Sequence, residues 1–170
     1  MWRIAVAGTF LCLAAPGLAE PCSTVFQKHE LDAVEQKIDR QPPVQVEARI
    51  VSVVRGRAPG GSSCDDIGVI VIELVRVDDD RTPREKLGYR ITHVESTLLD
   101  ATMLRSGVVL RVAPVPGKPL QFTLPWIDGA TDNQEPIDFT LAVTAVDLAG
   151  NESVPSSPVR VSRPGGKPAR

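Results

Sequence analysis

The apolar residues of this chain recur mainly at a spacing of two. From Phe139 the sequence reads F-T-L-A-V-T-A-V-D-L-A-G-N-E-S-V-P-S-S, with Phe139, Leu141, Val143 and Ala145 on one side and Thr140, Ala142, Thr144 and Val146 on the other. That is the period of a half-buried strand. Asp147, Gly150 and Asn151 are turn formers, and Ser153 to Pro158 leads into Val159-Arg160-Val161, so the stretch predicts a β-hairpin. Alternation also predicts strands over Val44 to Val54 and Leu120 to Trp126, and a short edge strand over Val108 to Ala113, bounded by Pro114 and Pro116. Within Ile67 to Val77, Val69-Ile70-Val71-Ile72 is apolar on both faces, the pattern of a central, covered strand. Another strand opens at Gly88-Tyr89-Arg90-Ile91, and Glu95 to Ser106 has no clear period. One segment is helical in pattern: His29 to Arg40 places Leu31, Val34 and Ile38 at i, i+3 and i+7, before Pro42-Pro43. Two or three helical turns are marginal in water, so this helix is expected only if it docks on the strands.

The stretch Phe139 to Ser157 resembles the last hairpin of a fibronectin type III-like domain, where an aromatic-x-apolar-x-Val-x-Ala-Val-Asp strand runs into Ala-Gly-Asn-x-Ser. Gly88-Tyr89-Arg90-Ile91 is similar to the third strand of such domains. The resemblance covers roughly residues 43 to 163. It implies an all-β, immunoglobulin-like antiparallel sandwich of about seven strands, lettered A, B, C, C′, E, F and G, behind a short N-terminal helix or extended leader. Phe139 stands where the corner tyrosine would be, and the second strand has Leu74 or Val75 near the usual tryptophan position. Trp126 is expected to supply that core volume from another strand. The likeness implies an architecture and not an activity, because such folds host unrelated functions.

The first residues change the picture of compartment. Arg3, an apolar run from Ile4 to Ala15 and the small residues Gly17-Leu18-Ala19 read as a signal peptide over 1–19; the run is too short to span a bilayer. The expected organisation is that signal, a leader over 20–42, the sandwich over 43–163 and a disordered tail over 164–170. An exported protein is predicted, secreted, periplasmic or cell-surface, without membrane insertion after cleavage. Of three cysteines, Cys12 leaves with the signal. Cys22 and Cys64 remain and are expected to form a disulfide in an oxidising compartment. Nineteen Lys and Arg stand against 21 Asp and Glu, so the charge offers no footprint for nucleic acid. The 15 prolines and 13 glycines suit short strands joined by turns better than a helical bundle.

Candidate chemistry is sparse. Beyond the signal there are two histidines, His29 and His93, and no Gly-x-Ser-x-Gly, so no catalytic residue is assigned. Two arrangements come into question for catalysis: His93 with Glu95 or Asp100, and a metal-dependent, hydrolytic use of acidic loops. Acidic loops are the alternative. In a sandwich with this strand order the B–C and F–G loops share a pole, which would bring Asp78, Asp79 and Asp80 toward Asp147, Asn151 and Glu152, hard oxygen donors suited to calcium. The opposite pole is acidic as well, through Asp65, Asp66, Asp128, Asp132 and Glu135, so the sequence alone singles out neither. The expected function is a non-catalytic binding or structural module whose partner is an unknown protein or envelope component; no cofactor is assigned, calcium is the candidate the acidic loops offer, and two histidines far apart in sequence make a thin ligand set for zinc or copper. A further reading is an envelope subunit pairing through the edge strand Val108 to Ala113, against which the flanking prolines argue.

Overall fold

Alternating β-branched and aromatic side chains form strands where they can lay one face on a shared core, and this accounts for seven of the eight strands within residues 27–56, 67–96, 107–112, 117–128 and 134–166, which a computed structural model describes; the eighth is a two-residue exposed strand held by backbone pairing. The strands are β1 (Gln27–Lys28), β2 (Glu47–Val54), β3 (Ile67–Arg76), β4 (Gly88–Ser96), β5 (Val109–Arg111), β6 (Leu120–Ile127), β7 (Ile137–Val146) and β8 (Val159–Arg163). One helical turn, α1 (Glu35–Ile38), and a 3-10 turn at Arg84–Lys86 complete the elements. The pairings are antiparallel and make two sheets, β2-β3-β6 and β1-β5-β4-β7-β8. The protein is therefore all-β and sandwich-like. Residues 1–19, expected to be a signal, and Cys22, Cys64 and residues 167–170 lie outside the described residues.

Ile70, Ile72 and Leu74 of β3 and Leu120, Phe122 and Leu124 of β6 share one core with Tyr89 and Ile91 of β4 and the Phe139, Leu141, Val143, Ala145 face of β7. Tyr89 meets Phe122 edge to face at 5.4 Å, a contact that joins the two sheets. Trp126 is buried, and its ring covers Gly68, its partner in register; a Cβ there would come within 2.3 Å of the ring. The strand expected to be covered on both faces is central in its sheet but buried on one face only: Ile70 and Ile72 point inward, while Val69 and Val71 are half-buried. Its unbroken apolar run reflects β-propensity on the outer face, which Val also satisfies. β7 departs the other way and is buried on both faces from Leu141 onward.

After the turn, the chain returns along β7 before β8 begins, and two serines carry the pairing there. Ser153 donates its N–H to the Ala145 carbonyl and accepts the Ala145 N–H on Oγ; Ser156 does the same with Val143. Pro155 and Pro158 cannot donate, and these hydroxyls satisfy the β7 amides that an ordinary ladder would satisfy with carbonyls. Ser156→Ala leaves the buried Val143 amide without its acceptor, and a loss of about 1–3 kcal/mol is expected in denaturant unfolding. Ser157→Ala, at an exposed neighbour, is expected to stay within about 0.5 kcal/mol of the parent.

Two expectations are corrected. The segment 108–113 is not a free edge, because β5 lies between β1 and β4, paired to Gln27–Lys28 on one side and Gly88–Arg90 on the other. The leader helix is one turn, not two or three. Its start is drawn into extended pairing instead: β1 joins β5, the His29 amide donates to Val109 O, and the Asp32 amide to Leu148 O. Asp32 Oδ1 then accepts from the amides of Val34 and Glu35, and Arg40 covers the carbonyls of Gln36 and Lys37 at the other end. Long-range backbone bonds win over a weak 3.6-residue stripe, and Leu31, Val34 and Ile38 remain 51%, 64% and 56% exposed.

Candidate functional site

Three segments distant in sequence converge at one pole: the leader after α1, the loop between β3 and β4, and the turn after β7. Each is shaped by an aspartate bonding to nearby amides. Asp39 Oδ1 accepts from the Gln41 amide as the chain leaves the helix; Asp79 Oδ2 accepts from the amides of Arg81 and Thr82. Asp147 Oδ1 accepts from the Asn151 amide and its Oδ2 from Asn151 Nδ2, in a turn where Gly150 takes φ +91°. The segments are also tied to one another. Thr82 Oγ1 accepts from the Leu148 amide, and His29, buried against Gly88, donates Nε2–H to the Asp147 carbonyl at 2.8 Å.

Asp39, Asp79 and Asp147 each bring one carboxylate oxygen to within 4.8 Å of the other two. Asp39 is 1% and Asp147 0% exposed. Like charges at that separation repel by about 3.5 kcal/mol or more per pair at an effective dielectric constant near 20. Asp39 Oδ2 and Asp79 Oδ1 are buried without any hydrogen-bond partner. Among the described residues, two guanidiniums lie beside the cluster and both are engaged: Arg40 donates to the Asp39 carbonyl at 2.9 Å, and Arg81 is held by Glu35 at 2.8 Å; Glu35 raises the Arg81 pKa chiefly through that bond, and Asp39 and Asp80 add more weakly.

The sequence placed Asp79 and Asp147 at this pole, and the structure brings them together. The other acids named with them take different roles: Asp78 accepts from the Asp79 amide, Asp80 is exposed, Asn151 serves Asp147 and the Gln41 carbonyl, and Glu152 pairs with Arg90. Asp39 was missed. Its one sequence signal is electrostatic, since an aspartate directly after Ile38 sits at the negative end of a predicted helix, where a cation is preferred.

The opposite pole is organised differently. Arg55 donates to both oxygens of Asp128 and to the carbonyls of Pro164 and Glu135. Asp128 also accepts from the Gly56 amide, so its charge is matched. Asp65, Asp66 and Asp132 lie outside the described residues. His93 stacks on Phe139 with ring centroids 5.5 Å apart, and burial lowers its pKa, which favours the neutral ring. The side chain of Glu95 and all of Asp100 lie outside the described residues.

No protein-family model matches the sequence, and no curated protein matches it either.

Proposed function

We propose that the chain is an exported, non-catalytic module of immunoglobulin-like architecture that binds a partner protein or envelope component through the pole where the leader, the β3–β4 loop and the β7–β8 turn meet. The strand order supports the architecture: with β2 to β8 lettered A, B, C, C′, E, F and G, the sheets are A-B-E and C′-C-F-G, and C′ beside C is the arrangement of variable-type immunoglobulin sheets. Export rests on the signal-like residues 1–19.

One observation carries the binding reading. The leader is fixed by backbone and polar contacts, yet its apolar stripe, Leu31, Val34 and Ile38, faces away from the core. Exposed apolar side chains on a pinned segment are suited to contact with another surface. Pairing through β5 is the weaker reading, because the leader strand covers that edge.

The test compares capture from the native envelope or medium by the parent and by a Leu31→Asp, Val34→Asp, Ile38→Asp variant. The variant is expected to keep the parent's melting temperature, since these side chains are exposed, and to lose the captured protein. A hydrolytic turnover that His93→Ala abolishes with the fold intact would overturn the reading.

A further inference from the structure

We infer that Asp39, Asp79 and Asp147 form a calcium site that clamps the leader to the two loops of this pole. The inference stands apart from the choice of partner and uses the geometry alone. Two observations meet in it. The first is the cluster itself, three carboxylates from three segments with oxygens within 4.8 Å. The second is Asp39, whose side chain is almost wholly buried and whose Oδ2 has no donor, joined by Asp79 Oδ1 in the same condition. Buried acceptors in native proteins are nearly always satisfied, and a buried charge requires an opposite one.

The oxygens left over define the ligand chemistry. The donor set is carboxylate only, which selects a hard cation over zinc or copper. Calcium binds oxygens at 2.3–2.6 Å, so ligands on opposite sides of one ion are up to about 5 Å apart, which accommodates carboxylate oxygens that all lie within 4.8 Å of one another. Magnesium demands near-ideal octahedral geometry and dehydrates reluctantly, which disfavours it in a site built from three protein carboxylates. Asp79 as a residue is only half-buried, although its unpartnered Oδ1 is buried. The amides of Gln41, Thr82 and Asn151 already hold the second oxygens or neighbouring lone pairs of the three carboxylates, so the ligands are oriented before an ion arrives.

The experiment is calorimetric titration of the chelator-treated full chain with calcium chloride, with thermal unfolding in EGTA and in calcium. A dissociation constant between roughly 0.1 and 1 mM is expected, in the range of extracellular calcium modules. At about a hundredfold excess over that constant, the melting temperature should rise by roughly 5–10 °C. Asp39→Asn and Asp79→Asn should each weaken binding at least tenfold. Their ion-free forms should melt at or above the ion-free parent, because each removes like-charge repulsion. Asp80→Asn, an exposed acid of the same loop, should keep the parent's response. Hydrogen exchange locates the ion: the amides of Gln41, Thr82 and Asn151, one per segment, should all slow on addition of calcium. Equal melting in EGTA and calcium, an equal response to magnesium, or loss of the response in Asp80→Asn would each overturn the assignment.

Discussion

Arg55→Met is expected to destabilise the protein by about 3–5 kcal/mol, a large part of the stability of a domain this size. The side chains of Arg55 and Asp128 are 17% and 3% exposed, and the guanidinium reaches both carboxylate oxygens at 2.7–3.1 Å. Methionine fills a similar volume but leaves Asp128 as a buried charge with, among the described residues, only the Gly56 amide donating to it. Two carbonyls, of Glu135 and Pro164, lose their donor in the same step. Arg55 thus ties the end of β2 to the segments on either side of β7 and β8. The double change Arg55→Met, Asp128→Leu should recover much of the loss, with a residue of about 1–3 kcal/mol for the Gly56 amide left unpaired. Denaturant melts of the four proteins measure the cycle. Additive effects of the two single changes would mean that the pair does not act as a pair.

The contrast between the poles explains how far the sequence could be read. Strands were legible because period-two patterning is local, and β7 with its Asp147 to Asn151 turn carries both the alternation and the turn chemistry in one stretch. The pole shared by Asp79 and Asp147 followed from strand order. Other features depend on what a residue meets far away in sequence. Arg55 and Asp128 are 73 positions apart, and the sequence gives no reason to prefer that pair over solvation of each. Asp39 belongs to the cation cluster only because β1 pairs with β5 and carries the leader past the β7–β8 turn. The helical stripe misled for the same reason. Leu31, Val34 and Ile38 have the right spacing, but the backbone of residues 27–32 gains more from pairing with β5 and the turn than from a further helical turn. The all-valine and isoleucine run of β3 could not show how many faces are covered, since a strand buried on one side tolerates branched residues on the other.

The centre of the core gives the other large effect: Val143→Asp should leave no stable fold, or cost at least about 4–5 kcal/mol where a folded population persists. Val143 is fully buried in β7, in register with Ile91 of β4, and its amide is held by Ser156 Oγ. A carboxylate placed there has neither water nor a cation among the core residues around it, and taking up a proton to become neutral still buries a polar group. Thr140→Asp supplies the comparison on the same strand. That position is half-buried and lies opposite Arg160 across the β7–β8 ladder; Arg160 is already paired with Asp138, so the new charge meets solvent and a guanidinium it must share, and the loss should stay below about 2 kcal/mol. Circular dichroism and denaturant midpoints separate the two outcomes. If Val143→Asp melts like the parent, the inward face of β7 is not the one that Phe139, Leu141, Val143 and Ala145 define, and the register that places Ser156 opposite Val143 falls with it.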